Sequence, residues 1–248
     1  MLKSISLFFG VIMCASSLFA QDEVVTKDKA IAFLYDQGWG TRAVGISFRK
    51  DNATMPLAFG IRAYGIRSGR EQFVRPSEIY TQPGRRFVYG KLNRILAVAP
   101  FIETSKVLIA PGRGNLFDLN LFGQIGPLFG LERPYYVDVF EVTTGGGPGQ
   151  PARGIAVPTP FSEEIGYSDI LGRSRTLEYG WDQLSIRPGV SLRVGARVGL
   201  ARRSAYLTEL VMSVQTDYFP QALNILTTEN ARRFHPGVSL GLVVGSRW

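Results

Sequence analysis

The chain has 248 residues, 45 % of them hydrophobic, with 28 glycines and a formal charge of +8, enough for about one domain. Its one cysteine, Cys14, falls in a leader expected to be removed, which excludes structural disulfides, thiol catalysis and cysteine-bound zinc from the mature chain. The basic balance suits anionic lipid headgroups or a plain solvated surface; the arginines are scattered, and export argues against nucleic acid as a partner.

Residues 1–20 carry Lys3, an apolar run from Ile5 to Cys14 and a small-residue exit from Ser16 to Ala20, the pattern of a signal peptide cleaved after Ala20. The run is too short to span a bilayer comfortably. A lipid anchor on Cys14 is disfavoured by Met13, which stands where such leaders carry a small residue. Residues 21–248 then form a single domain. No other stretch approaches the ~20 apolar residues of a helical span, so any crossing of a membrane must use strands.

From Ala30 onward the dominant rhythm is period two, which predicts about ten strands. They cover Ala30 to Gln37, Arg42 to Arg49, Leu57 to Arg67, Arg86 to Lys91, Arg94 to Glu103, Asn115 to Pro127, Tyr135 to Val142, a run ending at Leu200, Ala205 to Tyr218, and the C-terminal segment. In the third, Leu57, Phe59, Ile61 and Ala63 share the apolar face; in the sixth, Phe117, Leu119, Leu121 and Ile125 face outward, with Asp118, Asn120 and Gln124 inward. The eighth is the clearest. Val190, Leu192, Val194, Ala196, Val198 and Leu200 alternate with Ser191, Arg193, Gly195, Arg197 and Gly199. That run has the length a tilted transmembrane strand needs, about 9–11 residues, and exceeds the usual globular strand. The last strand repeats the pattern through Val238, Leu240, Leu242 and Val244, and the chain ends on Trp248, an aromatic terminus of the kind that barrel-assembly machinery reads.

The expected fold is therefore all-β, an antiparallel up-and-down transmembrane β-barrel. With the N-terminus in the periplasm, connections near Lys50 to Pro56, Leu92 to Asn93, Gly130 to Pro134 and Ala201 to Ser204 are the short inner turns. Those at Ser68 to Arg85, Thr104 to Gly114, Thr143 to Gln183 and Phe219 to Arg233 are long outer loops. An eight-stranded alternative follows from merging the fourth and fifth strands and losing the first. The run Gly145 to Gly149 with Pro151 reads as a mobile surface loop, since no Lys-Ser or Lys-Thr follows it to make a phosphate cradle.

By the same alternation Arg62, Asp118, Gln124, Asp138, Arg193, Arg197, Glu209, Gln215, Asp217 and Arg247 point into the barrel. Their signs are mixed, and buried charges are tolerable only when paired, so they are expected to knit a polar plug more readily than to line a pore. Tyr89, Tyr135, Tyr136, Tyr206, Tyr218, Phe219, Phe234 and Trp248 fall near strand ends and are candidates for an interfacial girdle, with ordinary core aromatics as the alternative. The one histidine, His235, precedes Pro236; its nearest inward serine in sequence, Ser239, is a layer away, which favours a loop-edge residue over a hydrolase base. Glu163 and Glu164 are adjacent loop carboxylates and read as solvated. Neither a cofactor nor a metal site is expected.

Several short motifs carry a family likeness: Tyr89-Gly90-Lys91 with Asn93, Gly126-Pro127, Gly130-Leu131, Pro134-Tyr135-Tyr136, Asp217-Tyr218-Phe219-Pro220 and Gly245-Ser246-Arg247-Trp248. With these the chain resembles a family of small outer-membrane β-barrel proteins of Bacteroidota, mostly without assigned function. The family usually has lysine where Arg133 stands and often a basic residue where Ser246 stands. The resemblance implies an outer-membrane barrel and supplies no catalytic residues. The expected role is a non-enzymatic, structural or accessory subunit of an envelope transport or assembly complex. Its partners would be outer-membrane lipid, the barrel-assembly machinery during insertion, and an envelope protein. The alternatives are a narrow porin and, further off, a membrane-embedded lipid hydrolase.

Overall fold

The computed structural model describes residues 29–38, 41–50, 57–76, 85–109, 117–144, 153–175, 179–199 and 206–247. The signal peptide, the glycine run at 145–149, Leu200 and Trp248 lie outside the described residues, as do the side chains of Tyr206 and Arg247.

In chain order the strands are β1 (Lys29–Gly38), β2 (Thr41–Lys50), β3 (Leu57–Ile66), β4 (Phe73–Val74), β5 (Phe87–Val88), β6 (Asn93–Ile109), β7 (Asp118–Pro134), β8 (Tyr136–Thr144), β9 (Arg153–Pro160), β10 (Ile170–Arg173), β11 (Ser185–Gly199), β12 (Tyr206–Leu223) and β13 (Arg232–Arg247). Eight of them close into a barrel in the order β1-β13-β12-β11-β7-β6-β3-β2. Every neighbouring pair is antiparallel, and the seam is made by the first and last strands, with Phe33 opposite Val244. Closure leaves no unpaired sheet edge, so the backbone polar groups of the wall are satisfied within it.

The ten-strand expectation is corrected to eight, and by a different route from the eight-stranded alternative. The first strand belongs to the wall, and the predicted fourth and seventh do not. Of Arg86 to Lys91 only Phe87–Val88 is strand, paired with Phe73–Val74 in a separate hairpin. Tyr135 to Val142 supplies β8, the centre of a three-stranded sheet β10-β8-β9. Removing these two strands switches the end of the connections that lie between them and leaves the others where they were expected. The connection after β6, expected as an outer loop, leaves the wall at the end where β1 starts and β13 finishes; Asn93 and Pro134, expected beside inner turns, face each other at the opposite end.

Two prolines interrupt the wall where they oppose each other. The β6–β7 ladder breaks between the pairs Val98↔Phe129 and Ile102↔Ile125, where Pro100 and Pro127 have no N–H to donate. Each keeps its register with its other neighbour, Pro100 with Ile61 and Pro127 with Val190.

At the end away from the termini, the hairpin, the three-stranded sheet and a 3₁₀ turn at Tyr167–Asp169 build a cap. Phe87, Tyr135, Val137, Phe161 and Ile170 are its core. Backbone bonds tie it down: Leu92 N–H donates to Ile225 O (2.9 Å), Tyr135 N–H to Leu92 O (2.8 Å), and Thr227 N–H to Gly90 O (2.8 Å). Gly90 takes φ +77°, a conformation that L side chains rarely adopt. The outer loop expected over Thr143 to Gln183 thus contributes β9 and β10 to a sheet, while the glycine run within it lies outside the described residues.

Candidate functional site

The wall is apolar outside and charged inside. Phe33, Ile46, Phe59, Ile102, Ile125, Val194, Met212 and Leu240, which between them come from every wall strand, are exposed, whereas Arg62, Glu103, Arg193, Arg197, Glu209 and Asp217 are buried. Period two produces this directly, because successive side chains point to opposite faces of a pleated strand.

Within the wall the interior has three zones. Toward the termini Ala32, Leu34, Leu207, Val211 and Val243 pack with Phe122. Toward the cap lies a larger apolar cluster containing Ile66, Ile95, Leu128, Phe219, Ile225 and Leu226. Phe219 is wholly buried because Gly130 and Gly189 leave room for its ring; a Cβ on Gly130 would lie 2.8 Å from Phe219 Cε1.

The polar network is interleaved with the first cluster, Glu209 standing between Leu207 and Val211 on β12, and runs on toward the second. Arg49 donates to Glu209 through both terminal nitrogens, at 2.7 and 3.1 Å. Arg197 pairs with Glu103 and stands 3.8 Å from Glu209, linking the two carboxylates. Gln124 Nε2 donates to Glu103, while its carbonyl oxygen lies 3.5 Å from Arg193 Nη1. Arg193 Nε donates to Ser213 (2.8 Å), and the Ser213 and Ser239 hydroxyls are 2.8 Å apart. The Phe122 ring receives the guanidinium of Arg197 at 4.1 Å and that of Arg193 at 5.4 Å.

Asp217 is the second centre. It accepts from Ser191 (2.6 Å), from the Tyr64 hydroxyl (2.8 Å) and from Gln215 (3.3 Å), while Gln215 in turn accepts from Arg62 (2.7 Å). Asp118 accepts from the backbone N–H of Gly199 (2.9 Å). Among the described side chains Arg49, Arg62, Arg193 and Arg197 thus stand against Glu103, Asp118, Glu209 and Asp217, an even match of charge.

Of the residues expected inside, Arg62, Asp118, Gln124, Arg193, Arg197, Glu209, Gln215 and Asp217 are there. Asp138 is not: it sits on β8 in the cap, where it accepts a hydrogen bond from Ser174. Sequence reasoning missed Arg49, Glu103 and Tyr64; it put Ser191 on the polar face of its strand without singling it out. The signal for Arg49 was present, since Val44, Ile46 and Phe48 facing out put Arg49 on the inner side. The girdle expectation is also corrected. Tyr135 and Phe219 are buried, Tyr89 packs edge-on against Phe161 and Tyr167 on the surface of the cap, and Tyr136 stacks on Tyr179. Tyr218 and Phe234 do stand on the outside near strand ends, rings 4.9 Å apart.

His235 is half-buried, with its ring edge against Phe219 and its Nε2 3.1 Å from Arg232 O. A carbonyl oxygen only accepts, so Nε2 carries the proton there. Ser191 donates to Asp217 directly, with no imidazole between them. The serine, histidine, acid relay of a hydrolase triad is therefore not formed at Ser191.

This is a closed eight-stranded β-barrel, apolar outside and filled within by paired charges. No protein-family model matches the chain, and no curated protein matches it. Solved structures do. The N-terminal β-barrel domain of Pseudomonas aeruginosa OprF is 9 % identical, over 90 % of this chain and 98 % of that one, with a TM-score of 0.38. Neisserial surface protein A is 9 % identical over 89 % and 94 %, at 0.40. A major outer membrane protein from Thermus thermophilus is 9 % identical over 89 % and 99 %, at 0.41. At such scores these likenesses carry no role across.

Proposed function

We propose that this chain is a non-enzymatic β-barrel of the outer membrane, a structural or accessory subunit of an envelope complex that moves or assembles macromolecules. The observation that carries the reading is the inversion of the wall: exposed apolar side chains all round the outside, and buried charges neutralised in pairs within. A closed sheet with an apolar exterior meets the demand of hydrocarbon that every backbone polar group be bonded internally. A lumen filled by side chains offers solutes no path, which leaves the cap and its connections as the part that meets a partner. The family motifs support the same reading, because several of them converge on the cap end: Gly90, Lys91, Gly130, Tyr135 and Phe219.

Purified protein in planar bilayers is expected to give no unitary conductance steps while remaining in the membrane fraction after a carbonate wash. Stable steps would establish a channel instead. Replacing His235 with alanine should leave phospholipid and lipid A profiles unchanged; an altered profile would establish a hydrolase.

A further inference from the structure

A cavity of about 280 Å³ opens where the rim of β3, β6 and β7 meets the cap. Arg67, Lys91, Arg94, Arg133 and Arg173 line it, against one carboxylate, Glu71, which is already engaged by Lys91. Arg94 and Arg133 stand directly opposite each other across β6 and β7. Like charges in that relation repel, and an anion between them removes the penalty. Their planes are held in place: Arg94 lies 4.8 Å over Tyr135, and Arg133 lies 4.6 Å over Trp181. Arg133 Nη1 and Arg173 Nε are buried and have no hydrogen-bond partner among the described residues. A buried guanidinium donor left unsatisfied is costly, and a tetrahedral oxyanion is the group its fork fits. Burial, the largest cause, lowers the Lys91 pKa; Glu71 raises it, and Arg94 and Arg67 lower it further. An additional negative charge beside Lys91 would oppose that shift.

The rest of the cavity is apolar, and it faces outward along the wall. Leu96 and Leu131, paired across β6 and β7, line it. Below them on the same two strands Phe129, Ile102 and Ile125 are exposed, continuing an apolar track toward the middle of the wall. A free anion would have no use for that track.

We propose that this cavity binds the phosphate of a lipid headgroup, with the acyl chains lying along the track from Leu96 and Leu131. The proposal rests on the membrane reading above, because only a membrane brings lipid to this face.

The test uses the full mature protein, delipidated in detergent micelles, and three probes: diphosphorylated lipid A, the same lipid stripped of its phosphates, and inorganic phosphate. Wild type is expected to hold the phosphorylated lipid at least about tenfold more tightly than the stripped one, and R133Q/R173Q to lose that margin. K50Q, an exposed lysine at the opposite end of the wall, should bind as wild type. Equal binding of stripped and phosphorylated lipid, or an unaffected double variant, overturns the proposal. Inorganic phosphate binding as tightly as the lipid overturns the lipid and assigns a free-anion site. Heat-dependent migration on gels reports folding. If R133Q/R173Q fails to fold, R133K/R173K, which keeps charge and loses the fork, carries the same comparison with a partial loss expected and an unchanged margin overturning. A chain that stays monodisperse without detergent fails the membrane reading itself, a result that the lipid comparison cannot produce.

Discussion

Arg49 and Glu209 are 160 positions apart in sequence and meet by two hydrogen bonds inside the wall, with Arg197 against the same carboxylate. Removing one member of a buried pair strands the other, so Glu209→Ala is expected to destabilise the folded protein by about 3–5 kcal/mol. Urea unfolding from detergent micelles measures it, and a loss no larger than that of an exposed substitution would refute the network as a stabilising element. Arg49→Met combined with Glu209→Leu should recover much of the loss, because the desolvation of both charges disappears together. Tyr64→Phe removes a buried donor to Asp217 and is expected to cost about 1–3 kcal/mol in the same assay. At this scale the facing of Glu209 was legible, since Leu207 and Val211 share its side while Leu210 and Met212 lie outside. Its partner was not legible, because nothing in Thr41–Lys50 refers to a strand so distant; only closure brings them together.

At the scale of elements, Phe219 is a wedge whose ring fills space left by Gly130 and Gly189. Gly130→Ala is expected to overpack this contact and destabilise by about 1–3 kcal/mol, with Phe219→Leu added to it giving partial recovery. The midpoint of the heat-dependent gel shift reads both. The cap is an element of a different kind. Its sheet leaves and rejoins the wall at neighbouring points, Ser174 N–H donating to Tyr136 O at 3.3 Å, so a short linker can bridge that gap. Replacing residues 138–172 by a Gly-Ser linker should leave an inserted, heat-shifting barrel, and a failure to insert would mean that the cap is part of the barrel's folding unit. The strand character of Tyr135 to Val142 was correctly read and its sheet was not. Alternation reports that a segment is a half-buried strand, and it says nothing of which surface does the burying.

For the whole molecule, the inside and outside of the wall can be told apart chemically, because the mature chain is expected to lack cysteine once the leader is cut. In Val194→Cys a lipid-soluble maleimide should react, whereas in Ser213→Cys it should not until the protein is unfolded, since Val194 is 53 % exposed and Ser213 is 3 %. Labelling of both at the same rate would refute the filled lumen. The even match of interior arginines and carboxylates among the described side chains also belongs to this scale, as no single strand carries it. By itself the sequence determined the all-β class, the strand rhythm and the facing of most wall residues, because side-chain direction in a pleated strand is a local property with a period of two. The tertiary structure decided the rest: eight strands instead of ten, the end at which the connections on either side of β6 and β7 lie, the cap, and the partners of the interior charges. Those depend on pairing between segments far apart, on β1 meeting β13 above all, and long-range pairing is energetically settled only when the whole sheet closes and leaves no edge unbonded.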